Sequence, residues 1–152
     1  MAEYTVSRLT PDDLSVFKGL LRVFGEAFED RSTYQDAVPS DSYLRSFLGL
    51  DHVIAIAASQ SAAVIGGLVA YELIKFERER REIYIYDLAV AADHRRQRVA
   101  TRLIEELRRI ADARGAYVIF VQADRGDAPA IALYESLGTR EDVLHFDIAV
   151  RR

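Results

Sequence analysis

Asp87 stands inside the most strand-like run of the sequence, Glu82-Ile83-Tyr84-Ile85-Tyr86-Asp87-Leu88-Ala89-Val90. A carboxylate among apolar neighbours is costly unless something pairs with it. Either local backbone or an arginine satisfies it, or it does chemistry, as a general base or an anchor for a cation. Just downstream the chain turns basic, Arg95-Arg96-Gln97-Arg98-Val99-Ala100, and a helical pattern begins. A helix N-terminus offers unpaired backbone N–H groups and the positive end of a dipole, and together these bind phosphate. Arg95 and Arg96 add charge to such a site, and the small Ala100 lets the backbone come close to a ligand. Tyr86 is either packed on its strand or part of the wall of an acceptor pocket. Other chemistries drop out. The chain has no cysteine, which excludes disulfides, thiolate metal sites, iron–sulfur clusters and thiol nucleophiles. His52, His94 and His145 lack metal-ligand spacing, so no metal is expected.

The elements that must position these residues show as periodicity. Thr10-Pro11-Asp12-Asp13 reads as a helix start, with Thr10 as N-cap and Pro11 first in the helix. Val16, Phe17, Leu20, Leu21, Phe24 and Phe28 then recur at helical spacing. Ser40-Asp41 opens a second helix with Tyr43, Leu44, Phe47 and Leu48 as its buried face. Val53 to Ala58 and Val64 to Phe76 flank a turn and predict an antiparallel hairpin, with Gly66-Gly67 marking a bulge or a close approach. The run from Glu82 to Val90, apolar on both faces, is a central strand. Val99, Leu103, Ile104, Leu107, Ile110 and Ala111 predict a helix stopped by Gly115, and Tyr117 to Val121 is a further strand. Asp127-Ala128-Pro129 opens a helix through Leu137, and Val143 to Val150 is expected as a last strand. The order α, α, β, β, β, α, β, α, β predicts an α+β fold, a mixed, mostly antiparallel sheet with helices on both faces. At 152 residues the chain is expected to form one domain spanning 1–152.

Net charge is −4, from 20 basic and 24 acidic residues. That balance argues against nucleic acid as a partner, since such binding rests on Lys and Arg neutralising phosphates. The charge is unevenly divided. Glu26 to Asp51 has six acids and two arginines, Asp93 to Arg114 seven arginines and four acids, and Asp124 to Asp147 six acids and two arginines. Two acidic stretches around a basic one suit two ligands of opposite sign, although surface charge alone gives such patterns too. The N-terminus carries no signal-like or basic amphipathic pattern, and no stretch is apolar enough to span a membrane. A cytoplasmic protein with no membrane partner is the expectation.

The basic loop meets the pattern Arg/Gln-x-x-Gly-x-Gly/Ala, and Asp127-x-x-Ala130-x-x-Leu133-Tyr134-x-x-Leu137-Gly138 forms a second block. In these two blocks, in this order along nearly the whole chain, the sequence resembles the GNAT superfamily of acetyl-coenzyme A-dependent N-acetyltransferases. Arg98 replaces the signature's central glycine, which the first turn of a helix would accommodate. Glu82 to Val90, Ala116 to Ile119, Val121 to Asp124 and His145-Phe146-Asp147 are further similar to the aminoglycoside 3-N-acetyltransferases of the gentamicin type.

The resemblance implies acetyl-coenzyme A as cosubstrate, held by the backbone of Leu88, Ala89 and Val90 and by Arg95, Arg96, Gln97, Arg98, Val99, Ala100 and Thr101, with Asp127 nearby or simply capping its helix. The Leu88 amide would face the acetyl oxygen. Tyr134 would be the general acid at the sulfur, where a half-buried core tyrosine is the plainer alternative. A cationic acceptor such as an aminoglycoside calls for carboxylates, and Asp124, Asp147 and Asp142 are the candidates beside Tyr86. Glu141, Glu29, Asp30 and Asp36 follow. A polyamine or another small amine is an alternative acceptor, and a coenzyme A-binding regulatory module without turnover is an alternative of another class. Many members of the family are dimers, so a homodimer stays open.

Overall fold

A computed structural model describes residues 3–151. The chain falls into two compact units, the first reaching Gln122 and the second starting at Ala123.

The first unit is built on a five-stranded sheet in the order β1-β2-β3-β4-β5. Its strands are β1 (Thr5–Arg8), β2 (Val53–Gln60), β3 (Ala63–Ile74), β4 (Arg81–Val90) and β5 (Ala116–Val121). Neighbours run antiparallel except β4 and β5, which are parallel. The helices are α1 (Leu14–Ala27), α2 (Arg31–Tyr34), α3 (Asp41–Leu48) and α4 (Val99–Ala113). Thr10 caps the first helical segment as expected. Its hydroxyl accepts from the Asp12 amide at 3.2 Å, and its own amide donates to Asp13 at 2.7 Å. Those first residues form a 3₁₀ turn, and the α-helix proper begins at Leu14. The hairpin of β2 and β3 closes tightly on Ser61 and Ala62, both with positive φ, the conformation that lets two residues join twisted strands.

Adjacent glycines show that both sheet faces are covered. A Cβ on Gly66 would lie 3.2 Å from Val99 of α4, whereas one on Gly67 would run into Leu20 of α1 and sit 2.7 Å from the Ile56 carbonyl oxygen. The expected bulge falls next to them, at Ile65, which has no partner between Gly66 and Val64 in the pairing with β2. On the α1 side, Phe17, Leu20, Val23 and Phe24 bury against Leu44, Leu48, Val69 and Ala89. On the α4 side, Leu103 and Leu107 are fully buried. Gly115 takes φ +75° just past α4, where a left-handed residue ends a helix at no steric cost.

The second unit holds α5 (Ala128–Leu137). The strand expected over Val143 to Val150 is not formed. The segment is irregular, with Phe146, Ile148 and Val150 exposed. A strand exists by pairing, and the described residues of the second unit hold no other strand for it to pair with. Among the described residues no helix is long and apolar enough to cross a membrane.

Candidate active site

Besides Glu82 at the start of β4, two acids interrupt the apolar strands of the sheet, and their surroundings separate them. Glu72 on β3 is 4% exposed. Arg81 donates to it at 3.0 Å and Arg114 at 2.8 and 2.9 Å, while Arg114 also holds Asp51. These arginines hold the Glu72 carboxyl below its usual range, as expected of a structural charge whose cost is met by partners. Asp87 on β4 has a different environment. It is half-buried, and its partner is a phenol: Tyr34 Oη donates to both carboxylate oxygens, at 3.2 and 3.1 Å. Burial raises the Asp87 carboxyl above the ordinary range, with the Tyr34 hydrogen bond opposing it. A raised carboxyl in a partly open position suits a group that takes up a proton.

Strand β4 is shaped at this point. Val69 pairs with Asp87 and Ala70 with Ile85, so Tyr86 between them is a bulge with no partner on β3. A bulge re-aims side chains. Tyr86, 62% exposed, stands edge-on to both Tyr71 and Tyr84, and Tyr84 stacks on Phe120 at 4.7 Å. The result is an aromatic shelf beside the Asp87 carboxylate. Pairing of β4 with β5 also ends here, at Ile85 opposite Val121. Asp87 to Val90 therefore have a ladder partner only on the β3 side. Among the described residues Leu88, Ala89 and Val90, paired with Leu68, Gly67 and Gly66, have no strand on the other side, an edge for a ligand to complete.

The chain then passes through a 3₁₀ turn, Ala92–His94, into the basic loop. Arg95 and Arg96 are exposed, and Arg95 reaches back to the Val90 carbonyl at 3.4 Å. Val23, Glu26, Ala27, Ala91, Ala92 and Arg95 line a small cleft beside it. The sequence expectation for Arg98 needs correction. It is not in the first turn of α4 but at the N-cap, with φ +62°, and Arg96 is also left-handed at +65°. The chain reverses direction through these two residues, which is why glycine suits the place. No side chain caps α4, whereas Ser40 caps α3 and Asp127 caps α5. The amides of Val99, Ala100 and Thr101 thus lie at an uncapped positive helix end, which suits phosphate. Because a left-handed non-glycine residue costs about 1–2 kcal/mol, Arg98→Gly is expected to stabilise the fold by about 0.5–1 kcal/mol after the entropy of glycine is set against it. Chemical denaturation measures this.

The remaining candidates belong to the second unit. Tyr134 on α5 is half-buried, and burial, reinforced by the Asp127 charge, raises its phenol. The Asp127 carboxylate accepts from the Ala130 amide at 3.2 Å and is a helix cap. Asp124 is exposed, Asp142 pairs with Arg140 at 3.0 Å and Asp147 with His145 at 2.9 Å. Of the acids flanking α2, Asp30 is its N-cap. Among the described residues no three His, Asp or Glu side chains gather as a metal site.

A strand that parts from its neighbour beside an uncapped helix N-terminus suits a long phosphorylated ligand, and the half-buried Asp87 suits a bound cation. The model of the acetyltransferase (GNAT) family matches residues 18–139, and the chain belongs to that family, whose acetyltransferases use acetyl-coenzyme A. Among solved structures it is similar to an aminoglycoside acetyltransferase from an uncultured soil metagenomic sample, with 55% identity, 97% of this chain and 99% of that one covered, and a TM-score of 0.95. A second aminoglycoside acetyltransferase from an uncultured soil metagenomic sample, solved with trehalose, shares 30% identity over 97% of each chain at a TM-score of 0.91. That enzyme was also solved with sisomicin. None of the curated proteins matches the chain.

Tyr34, which donates to Asp87, carries no motif in the sequence. It lies in the polar stretch after the first helix, and its only local signal is Asp30 three residues before Thr33, an N-cap pattern for a single turn.

Proposed function

We propose that this enzyme transfers the acetyl group of acetyl-coenzyme A to the 3-amino group of an aminoglycoside antibiotic, and so confers resistance. The observation that carries the reading is Asp87, a half-buried carboxylate with no ion-pair partner among the described residues, set next to the β4 bulge and an aromatic shelf and upstream of the uncapped α4 loop. The similarity to aminoglycoside acetyltransferases supports the acceptor class.

In this reading the backbone of Leu88, Ala89 and Val90 holds the pantetheine, and the Arg95 to Thr101 loop holds the pyrophosphate. Asp87 takes a proton from the acceptor's ammonium, directly or through water, or anchors it while water does so. The freed amine attacks the thioester carbonyl, so a C–N bond forms as the C–S bond breaks. The Leu88 amide donates to the acetyl oxygen; the family resemblance assigns to Tyr134 the proton given to the departing thiolate, and the second proton shed by the nitrogen restores that phenol through water. No acyl-enzyme is needed. Tyr86 forms a wall for the sugar rings, and the family resemblance assigns Asp124, Asp142 and Asp147 to the other ammonium groups. Asp142 and Asp147 must exchange Arg140 and His145 for the ligand to do this.

Release of free coenzyme A thiol across a panel of amines tests the reading. Turnover is expected with gentamicin-like compounds and not with spermidine. The reverse preference would make the enzyme a polyamine acetyltransferase, and no turnover with any amine would favour a binding module.

A further inference from the structure

We propose that Tyr34 is a positioning residue of this site, its hydroxyl fixing the orientation of the Asp87 carboxylate and keeping that carboxylate ready to accept a proton. The inference rests on the reading of Asp87 as the group that receives or anchors the ammonium.

The phenol is itself held. Its ring packs edge-on against Phe24 at 5.8 Å and tilted against Phe28 at 5.6 Å. Phe24 is fully buried, so the ring has a fixed floor. The single turn of α2 that carries Tyr34 is fastened at both ends. The Asp30 carboxylate accepts from the Thr33 amide at 3.2 Å and from the Ser32 hydroxyl at 3.0 Å. At the other end the Gln35 side-chain amide donates to the Arg22 carbonyl of α1 at 3.1 Å. A four-residue helix has no stability of its own, yet this one is tied down from three directions and aims one hydroxyl at one carboxylate.

The aim is specific. Tyr34 Oη lies within 3.1–3.2 Å of both Asp87 oxygens, so its one proton is shared between them and the carboxylate plane is set by the contact. Burial, then the Asp87 charge, keeps the phenol protonated. It therefore always donates and never competes as a base. The groups that face Asp87 are Tyr34 with Asp30 behind it from α2, Tyr71 from β3, and Tyr84 and Tyr86 from β4. None of these brings a positive charge, which leaves the Tyr34 hydroxyl to offset the cost of burying the ionised form.

The test is Tyr34→Phe, which keeps the ring and its packing and removes only the hydroxyl. A hydrogen bond to a charged group supports about a tenfold effect. The Asp87 carboxyl, followed by carbon-13 NMR in the full-length protein and identified by its loss in Asp87→Asn, is expected to titrate roughly one pH unit higher. The acid limb of kcat/KM should move up with it, kcat should fall about tenfold, and KM for acetyl-coenzyme A should stay within about twofold. In the Asp87→Asn background the same change should add almost nothing to the loss. An unmoved carboxyl titration would overturn the proposal whatever the acceptor proves to be. A moved titration with an unmoved acid limb would overturn it too, and would locate the failure in the role given to Asp87. A thermal melt of Tyr34→Phe within a few degrees of the parent shows that the fold is kept.

Discussion

Asp87→Asn is expected to lower kcat for acetyl transfer by about 10²-fold or more, the scale of a general base, with Tm unchanged or raised. The two halves of this outcome come from the same feature. Burial raises the Asp87 carboxyl above the range it has in the unfolded chain. Such a group favours folding below its unfolded pKa, and that contribution is lost as pH rises through the folded pKa. At neutral pH the ionised carboxylate therefore works against stability, and an uncharged amide of the same shape removes that burden. A structural aspartate would show the opposite, a lower Tm with turnover nearly intact. For the parent enzyme the sign also sets the pH profile, since kcat/KM must fall as pH drops through a pKa above the ordinary aspartate range. Steady-state assays between pH 5 and 9 with a parallel thermal scan measure both halves.

Glu72→Ala is expected to do the reverse, destabilising the fold by about 3 kcal/mol and lowering Tm by about 8 °C, with kcat of the remaining folded enzyme close to the parent value. Removing this buried carboxylate strands Arg81 and Arg114, which bridge β3, β4 and the end of α4 through it. Arg114 keeps Asp51 and some access to water, which puts the cost at the lower end for a broken buried pair. Because the arginines lower the Glu72 carboxyl, its contribution is present above the unfolded glutamate pKa and is lost as pH falls through the lower folded value. The parent should therefore lose stability in acid more steeply than the variant, as denaturant melts at pH 7 and pH 3 would show.

The pair also marks how far the sequence can be read. Both acids carry the same signal, a carboxylate inside an apolar run. What tells them apart is partners: two arginines 9 and 42 residues away for one, a tyrosine 53 residues away for the other. Such contacts are made by tertiary structure and leave no local pattern. The helices with long stripes, α1 and α4, were legible because periodicity accumulates over four turns. Strand β1 was not, since Thr5 to Arg8 is short, alternates between partial and full exposure, and exists through its ladder to β2. The helix α2 is shorter than any periodic signal. The failure over Val143 to Val150 has the same origin in reverse, a good strand pattern without a neighbour. The phosphate loop was legible by resemblance in its residues but not in its backbone, where Arg98 takes the left-handed turn instead of entering the helix.

The decisive experiment is to identify the acetylated nitrogen by two-dimensional NMR of the product from a gentamicin-type acceptor, with acetyl-coenzyme A as donor. A single new acetamide on the 3-amino group is expected. Acetylation at any other nitrogen, or recovery of the unmodified aminoglycoside from an enzyme that turns over other amines, would contradict it.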